Sequence, residues 1–374
     1  MAAVEIVFWI AAGLIVYTHA GYPLALVVVA QLRRPPATPA LTQLPSVSLI
    51  VAAHDEEQVI EAKVRDALAL GYPRGLLELI VASDGSGDRT VERATAAGAD
   101  LVLDLDRQGK LPAQNAAAER ARGELLAFSD ANASWHADAL RELAAPFADE
   151  RVGYVCGQAR YLDQGGSNQE GVYWRLELAL RALESRLAGV TAGNGAIYAV
   201  RRSAYVPLGP ASSHDLSFPF LLTKHGWRAV YAPAAVAEEK AVATVEGEFA
   251  RKRRMMRGLW DEVVGDGMLS PRGYGPLYGW QIASHRLLRY ATPILHVVAL
   301  AANLALLGAS WVYVATLAIQ LAVLAAAALA DVLQFRPFRL ARYYVLTTAS
   351  IVAGLWDRVR LGTPGAWEKA EGTR

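Results

Sequence analysis

The chain has 374 residues, more than one ordinary globular core uses, so a catalytic-sized domain with additional elements is expected. Hydrophobic residues make up 53% and charged ones only 20%, below the roughly 25% of soluble domains, and mean hydropathy is +0.21. The formal net charge of +1 gives no global attraction for nucleic acid, and the single cysteine, Cys156, excludes an intramolecular disulfide framework or a Cys-rich zinc site.

The apolar excess lies in residues 4–30 and 290–356, and the middle reads as soluble α/β. Residues 4–30 are long enough to cross a bilayer with some tilt, and without a preceding basic residue or a short cleavable pattern they read as a span rather than a signal peptide. Arg33 and Arg34 follow, then a Pro-rich stretch at 35–39. The positive-inside rule therefore predicts a transmembrane helix with a basic flank over 1–34, its N-terminus outside, and a cytosolic domain over 46–270.

Within that domain, 47–53 reads as a buried-type strand. A helix follows with Val59, Ile60, Val64, Ala67 and Leu68 on its apolar face, opened by a capping box of Asp55 and Gln58. Further strands are expected at 77–82, 101–103 and 125–129, with helices near 90–97 and from Pro112, as first helical residue, to Arg122. Strands alternating with helices predict a mostly parallel sheet that binds its ligands at the carboxyl ends of the strands.

Residues 276–290 are expected to form an interfacial amphipathic helix. Trp280, Ala283, Leu287 and Leu288 fall on one side and His285, Arg286 and Arg289 on the other, with Ile282 out of pattern. A transmembrane hairpin over 290–331 follows, interrupted at 308–310. The last segment, 340–374, reads as a membrane-associated helix and cytosolic tail, because a spanning 340–356 would export Arg358 and Arg360.

Polar clusters end three of the strands: Ala53-His54-Asp55-Glu56, Ser83-Asp84-Gly85-Ser86 and Ser129-Asp130-Ala131-Asn132, with Lys110 after the remaining one. Carboxylates for a nucleoside and a divalent cation, with a lysine for phosphate charge, need this placement. Each cluster alone also reads as a cap or turn; their recurrence on one edge is the stronger signal. The dehydrogenase alternative needs G-x-G-x-x-G after the first strand, where the chain has Ala53-His-Asp-Glu-Glu57.

The runs VSLIVAAHDEE, LELIVASDGSGDRT and GKLPAQNAAAERARGELLAFSDAN resemble the donor-binding half of a family 2 glycosyltransferase with the α/β GT-A fold. GNGAIYAVRRSAY, SHDLSFPFLLTKHGWRAVYAPAAVAEE and EFARKRRMMRGLW resemble its acceptor half. The similarity covers about residues 46–265, and the flanking helices resemble the membrane-integrated branch related to cellulose and hyaluronan synthases.

The resemblance implies that Ala53, His54, Asp55 and Glu56 hold the nucleobase, Asp84 the uridine and Lys110 the diphosphate. Asp130 and Asn132 stand at the D-x-D motif for Mg²⁺ or Mn²⁺, one carboxylate there being an amide in this chain. Asp215 matches the base that would deprotonate the acceptor in an inverting displacement, with His214 before it. Gly193, Asn194 and Gly195 match a turn near the acceptor. Arg254 and Arg257 match a helix whose arginine contacts the diphosphate, and Trp260 would stack on acceptor sugar. The family's Q-x-x-R-W is eroded here to Arg254-Met-Met-Arg257-Gly258-Leu-Trp260. Trp367-Glu368-Lys369 resembles a tail motif to which no role is assigned.

The reading implied is an integral cell-membrane enzyme, catalytic domain on the cytoplasmic side, moving sugar from a UDP-sugar to a lipid-linked or polysaccharide acceptor. A homo-oligomer is an open possibility and nucleic acid is not a partner. The alternatives are a processive polysaccharide synthase and an idle membrane scaffold or exporter.

Overall fold

The structure, a computed structural model, describes residues 1–33, 39–162, 171–240, 245–333 and 335–362. The 363–374 tail and most of the Pro-rich stretch lie outside the described residues, and so does the Trp367-Glu368-Lys369 motif.

Helix α1 (Ala2–Val16) runs through a π-turn at Tyr17–Gly21 into α2 (Tyr22–Leu32), giving one apolar rod. The α/β domain follows: β1 (Val47–Ala53), α3 (Ile60–Leu68), β2 (Leu77–Asp84), α4 (Thr90–Ala96), β3 (Leu101–Leu105), α5 (Lys110–Arg120), β4 (Leu125–Asp130), β5 (Ser134–Trp135) and α6 (Ala139–Ala144). Its second half contains β6 (Val152–Leu162), α7 (Val172–Leu187), β7 (Tyr198–Arg201), α8 (His214–Lys224), β8 (Arg228–Lys240) and α9 (Val245–Trp260).

The strands form a single eight-stranded sheet in the order β3-β2-β1-β4-β7-β6-β8-β5. Strands β1 to β4 are mutually parallel, β7 is antiparallel to both neighbours, and β6 and β8 are parallel. The sheet is covered on both faces, which is why β1 reads as a continuous apolar run. Leu49, Val51, Leu79 and Val81 pack with α3 and α6, whereas Ile50, Ile80, Leu126 and Phe128 pack with α5 and α8.

Two local expectations are corrected. Asp55 does not open a capping box with Gln58. Helix α3 starts at Ile60 without a side-chain cap, and Asp55 sits at φ 48°, its carboxylate accepting from the Gly87 N–H at 2.8 Å. Pro112 is the third helical residue, because Gly109 at φ 109° turns the chain into α5 two residues earlier.

After the domain, α10 (Pro276–Gln281), a π-turn (Ile282–Leu287) and α11 (Leu288–Ala305) form one unbroken run. No separate interfacial helix ends at residue 290. The supposed headgroup face is turned inward: His285 is buried and reaches Glu177 and Glu184 of α7, and Arg289 pairs with Glu177 at 2.6 Å. Ile282, the residue out of pattern, packs with Phe220, Leu259 and Tyr278.

Helix α12 (Trp311–Leu329) and the long α13 (Arg336–Leu361) are the last elements among the described residues. Among the described residues three helical runs are long and apolar enough to cross a membrane: Ala2–Leu32, Pro276–Ala305 and Trp311–Leu329. Helix α13 is not one of them. It packs along α9, with Gly354 against the Met256 backbone, and Arg253 forms a bidentate pair with Asp357 at 2.6 Å.

Candidate active site

Parallel strands deliver β1, β2 and β4 to the same edge, and the loops after them interlock. The His54 Nδ1 lies 2.7 Å from the Asp84 carbonyl, which can only accept, so Nδ1 carries the proton. The Asp55 N–H donates to Ser86 Oγ at 3.0 Å, the Glu56 N–H to Thr90 Oγ1 at 2.7 Å and the Glu57 N–H to Asp88 at 3.0 Å. Ala53, His54 and Glu56 are buried and Asp55 is half-buried.

Asp84 is expected to face a ligand but is 1% exposed. Its Oδ1 accepts from the Gln108 and Gly109 amides at 2.7 and 2.9 Å. The carboxylate is committed to the loop that introduces α5 and thereby sets the position of Lys110.

Lys110 forms an ion pair with Asp130. Burial opposes its charge, but Asp130, then Asp215 and Glu239, more than compensate and raise its proton affinity. Thus the charges of Asp130 and Asp215, far apart in sequence, both favour one ammonium, while Asp84 is bonded to the amides of the preceding loop. The 193–195 turn joins the two sides. A Cβ on Gly195 would lie 3.5 Å from Asp130 Oδ2 and 3.6 Å from Lys110 Nζ, and the Gly193 N–H donates to the Asp215 carbonyl at 2.6 Å. Gly193 has no room for a side chain, since a Cβ there would collide with the Tyr154 hydroxyl. Asn194 points into the protein, donating to the Gly157 carbonyl at 2.7 Å and accepting from the Ile197 N–H at 3.0 Å, so it shapes the turn.

Other expected contacts are placed differently. His214 is buried, stacked on Phe218 with centroids 4.2 Å apart and bonded to the Tyr198 hydroxyl at 2.7 Å. Burial, with Lys110 nearby, holds it well below the usual imidazole range, so it is a neutral core residue. Arg257, expected at the diphosphate, donates to the Gly362 and Leu361 carbonyls at 2.7 and 3.1 Å, capping α13. Arg254 and Trp260 are half-buried on the same helix. Asn132 is half-buried on the turn after β4.

Three residues were not anticipated. Lys63 is buried on the inner stripe of α3 and donates to Ser129 Oγ at 2.7 Å and the Ala133 carbonyl at 2.6 Å, bracketing the Asp130–Asn132 turn. A lysine three residues from Ile60, on an apolar stripe, was the available signal. Glu239 follows from the ladder: β5 pairs with β8 through Ser134 and Glu238, so the next antiparallel step sets Glu239 opposite Ala133. Burial, then the adjacent Asp130, pushes its carboxyl up to about 7. Glu262 is buried, accepts from Ser213 Oγ at 2.5 Å, and is held well above the usual carboxylate range by burial and by nearby Asp215 and Asp266.

The family model for Glycosyl transferase family 2 matches residues 48–206. Among curated proteins, the Beta-monoglucosyldiacylglycerol synthase of Trichormus variabilis is 28% identical over 280 residues, covering 67% of this chain and 57% of that protein. The Poly-beta-1,6-N-acetyl-D-glucosamine synthase of Staphylococcus aureus (strain COL) is 24% identical over 236 residues, covering 60% and 57%. The chain thus spans little more than half the length of these relatives. Among solved structures, the mannosyltransferase PcManGT from Pyrobaculum calidifontis, in complex with GDP-Man and Mn²⁺, superposes with TM-score 0.73 at 23% identity, covering 94% of this chain and 99% of that one.

Proposed function

We propose that this chain, whose residues 48–206 form a family 2 glycosyltransferase domain, is an inverting enzyme. It moves sugar from a nucleotide donor, a UDP-sugar, to a lipid-linked or polysaccharide acceptor. The observation that carries the reading is the 193–195 turn, which is bonded to the Asp215 main chain at Gly193 and passes the Lys110–Asp130 ion pair at Gly195. The three membrane-length helices and the diacylglycerol named in one relative favour an acceptor held at a lipid surface. The domain then works on the cytoplasmic side, a reading supported by Arg33 just past the N-terminal rod.

In this reading Asp215 takes the proton of the acceptor hydroxyl as it attacks the anomeric carbon, and the nucleoside diphosphate departs on the opposite side. Lys110, held in its charged form, neutralises the departing diphosphate. Among the described residues no three His, Cys, Asp or Glu side chains are grouped to hold a metal ion, so a divalent cation would rest on Asp130 and Asn132, with the raised Glu239 carboxyl beside Asp130 as a further acid. Bound Mg²⁺ or Mn²⁺ supplies Lewis-acid stabilisation of the diphosphate. Lys63 keeps the Asp130 turn in place from behind.

The test uses the purified full chain in detergent micelles containing diacylglycerol. Nucleoside diphosphate release is followed from UDP-glucose, UDP-N-acetylglucosamine and GDP-mannose, with and without Mn²⁺. Asp215→Asn is expected to abolish transfer while retaining donor binding; unaltered turnover would remove the base assignment. Absence of both binding and hydrolysis across these donors would favour the scaffold reading, which the commitment of Arg257 to α13 supports.

A further inference from the structure

The acceptor side of the site is wired to the membrane helices by a buried polar chain outside the catalytic groups. The segment 190–193 is held at every residue but one by side chains of distant elements. The Tyr278 hydroxyl donates to the Val190 carbonyl at 2.9 Å. Arg286 Nε donates to Thr191 Oγ1 at 2.9 Å, and that hydroxyl donates in turn to Glu184 Oε2 at 2.9 Å. Arg181 Nη2 donates to the Gly193 carbonyl at 3.0 Å, and the Gly193 N–H donates to the Asp215 carbonyl.

Glu184 is the node. Its Oε1 accepts from the Tyr22 hydroxyl at 2.5 Å and lies 2.6 Å from His285 Nδ1, and its backbone carbonyl accepts from Gln281 Nε2 at 3.2 Å. Tyr22, Glu184, Thr191 and His285 are all buried. Each therefore depends on its partner for solvation, because no water replaces a lost bond. Tyr22 belongs to the N-terminal rod and Gln281, His285 and Arg286 to the Pro276–Ala305 run, so both helices meet on one residue, Glu184, whose carboxylate is one hydrogen bond from the 190–193 segment that touches Asp215.

We propose that Thr191 and Glu184 are positioning residues for Asp215, and that through them the membrane helices set where the base stands relative to the donor. The inference rests on the assignment of Asp215 as base. A hydrogen bond to its main chain fixes the start of α8, and a shift of about 1 Å at a reacting group costs on the order of 100-fold in rate. The donor side is anchored separately, through Asp84, Lys110 and Asp130. A fault in the chain should therefore lower the rate of transfer and spare donor affinity.

The experiment compares full-length Thr191→Val, which keeps the shape and deletes the hydroxyl, with Thr191→Ser, which restores it. UDP release from UDP-glucose is measured in diacylglycerol micelles, with Asp215→Asn in parallel. Thr191→Val is expected to lower kcat at least tenfold with KM for UDP-glucose within twofold, and Thr191→Ser to recover most of it. Wild-type kcat in Thr191→Val beside an inactive Asp215→Asn would overturn the proposal alone, and so would equal loss of kcat and donor affinity. An active Asp215→Asn would instead overturn the base assignment. Tyr22→Phe supplies a measurement independent of turnover: amide hydrogen exchange across 189–195 is expected to accelerate severalfold, and unchanged exchange there would refute the link to the membrane helix.

Discussion

Replacing Gly354 with alanine sets two effects of known sign against each other. Gly354 lies inside α13, and by helix propensity alone alanine should stabilise the protein by about 1 kcal/mol. A Cβ at this position, however, would stand 2.5 Å from Met256 Cβ, 2.6 Å from the Met256 carbonyl carbon and 2.9 Å from the Arg257 nitrogen. Two of these atoms are backbone of α9, so no rotamer change relieves the contact. Carbon pairs rest at about 3.5–4.0 Å, and the helices must separate by about 1 Å. Overpacking of this kind costs about 1–3 kcal/mol, and the separation also strains the Arg253–Asp357 and Arg358–Asp261 pairs and the Arg257 cap on α13. The difference is a loss of about 0–2 kcal/mol, to which the strained ion pairs add, so a net loss is expected, read by urea or thermal unfolding in micelles. Gly258→Ala on α9 is the internal control. Its Cβ would meet nothing closer than the Ala211 carbonyl at 3.6 Å, so propensity should prevail and stability should rise slightly. A Gly354→Ala protein as stable as the parent, or more so, would refute the close α9–α13 contact.

Lys63→Met should cost about 1–2 kcal/mol, because it orphans the buried Ala133 carbonyl while removing a buried amine. Burial lowers the Lys63 pKa to about 8, against 10.5 for a free lysine, so between those values the unfolded chain binds more protons and this group makes stability rise with pH. That increment should vanish from pH titrations of Lys63→Met unfolding. Glu239→Gln is expected to weaken Mn²⁺ binding about 10-fold, measured by the EPR signal of free Mn²⁺; unchanged affinity would exclude Glu239 from the cation site. Cys156 is buried, with its thiol pushed up to about 11, so maleimide should label it at pH 8 only after unfolding, and prompt native labelling would contradict the burial.

The donor half was legible because its signals are local. Strand β1 has the bounds read from its apolar run, and β2, β3 and β4 extend the expected segments by one or two residues at their carboxyl ends. Those extra residues include Ser83, Asp84 and Asp130, polar groups that the hydrophobic pattern cannot count as strand. The inward-facing basic residues at 285–289 were misread because their partners, Glu177 and Glu184, lie about a hundred positions earlier. Amphipathicity reports that a helix has two faces, not which face meets protein and which meets lipid. An acid at a strand end, such as Asp84, reads equally as a ligand contact or as a cap for amides of a distant loop, and the sequence pattern does not separate the two.

The basic cluster of α9 shows the same limit in its effect on chemistry. Five cations within seven residues resemble a diphosphate cradle, yet in the fold several are spent on α13. Arg253 pairs with Asp357, Lys252 donates to the Tyr343 and Thr347 hydroxyls at 2.6 and 3.2 Å, and Arg257 caps the helix end. Arg358 answers from α13 by pairing with Asp261 just beyond α9. A guanidinium held by two carbonyls gives up that geometry before it reaches a phosphate. In the proposed reading Lys110 is therefore the cation left beside Asp130 once Arg253 and Arg257 are committed to α13. Gly258 leaves α9 slender where it passes Ala211, and Gly354 lets α13 close on its other side.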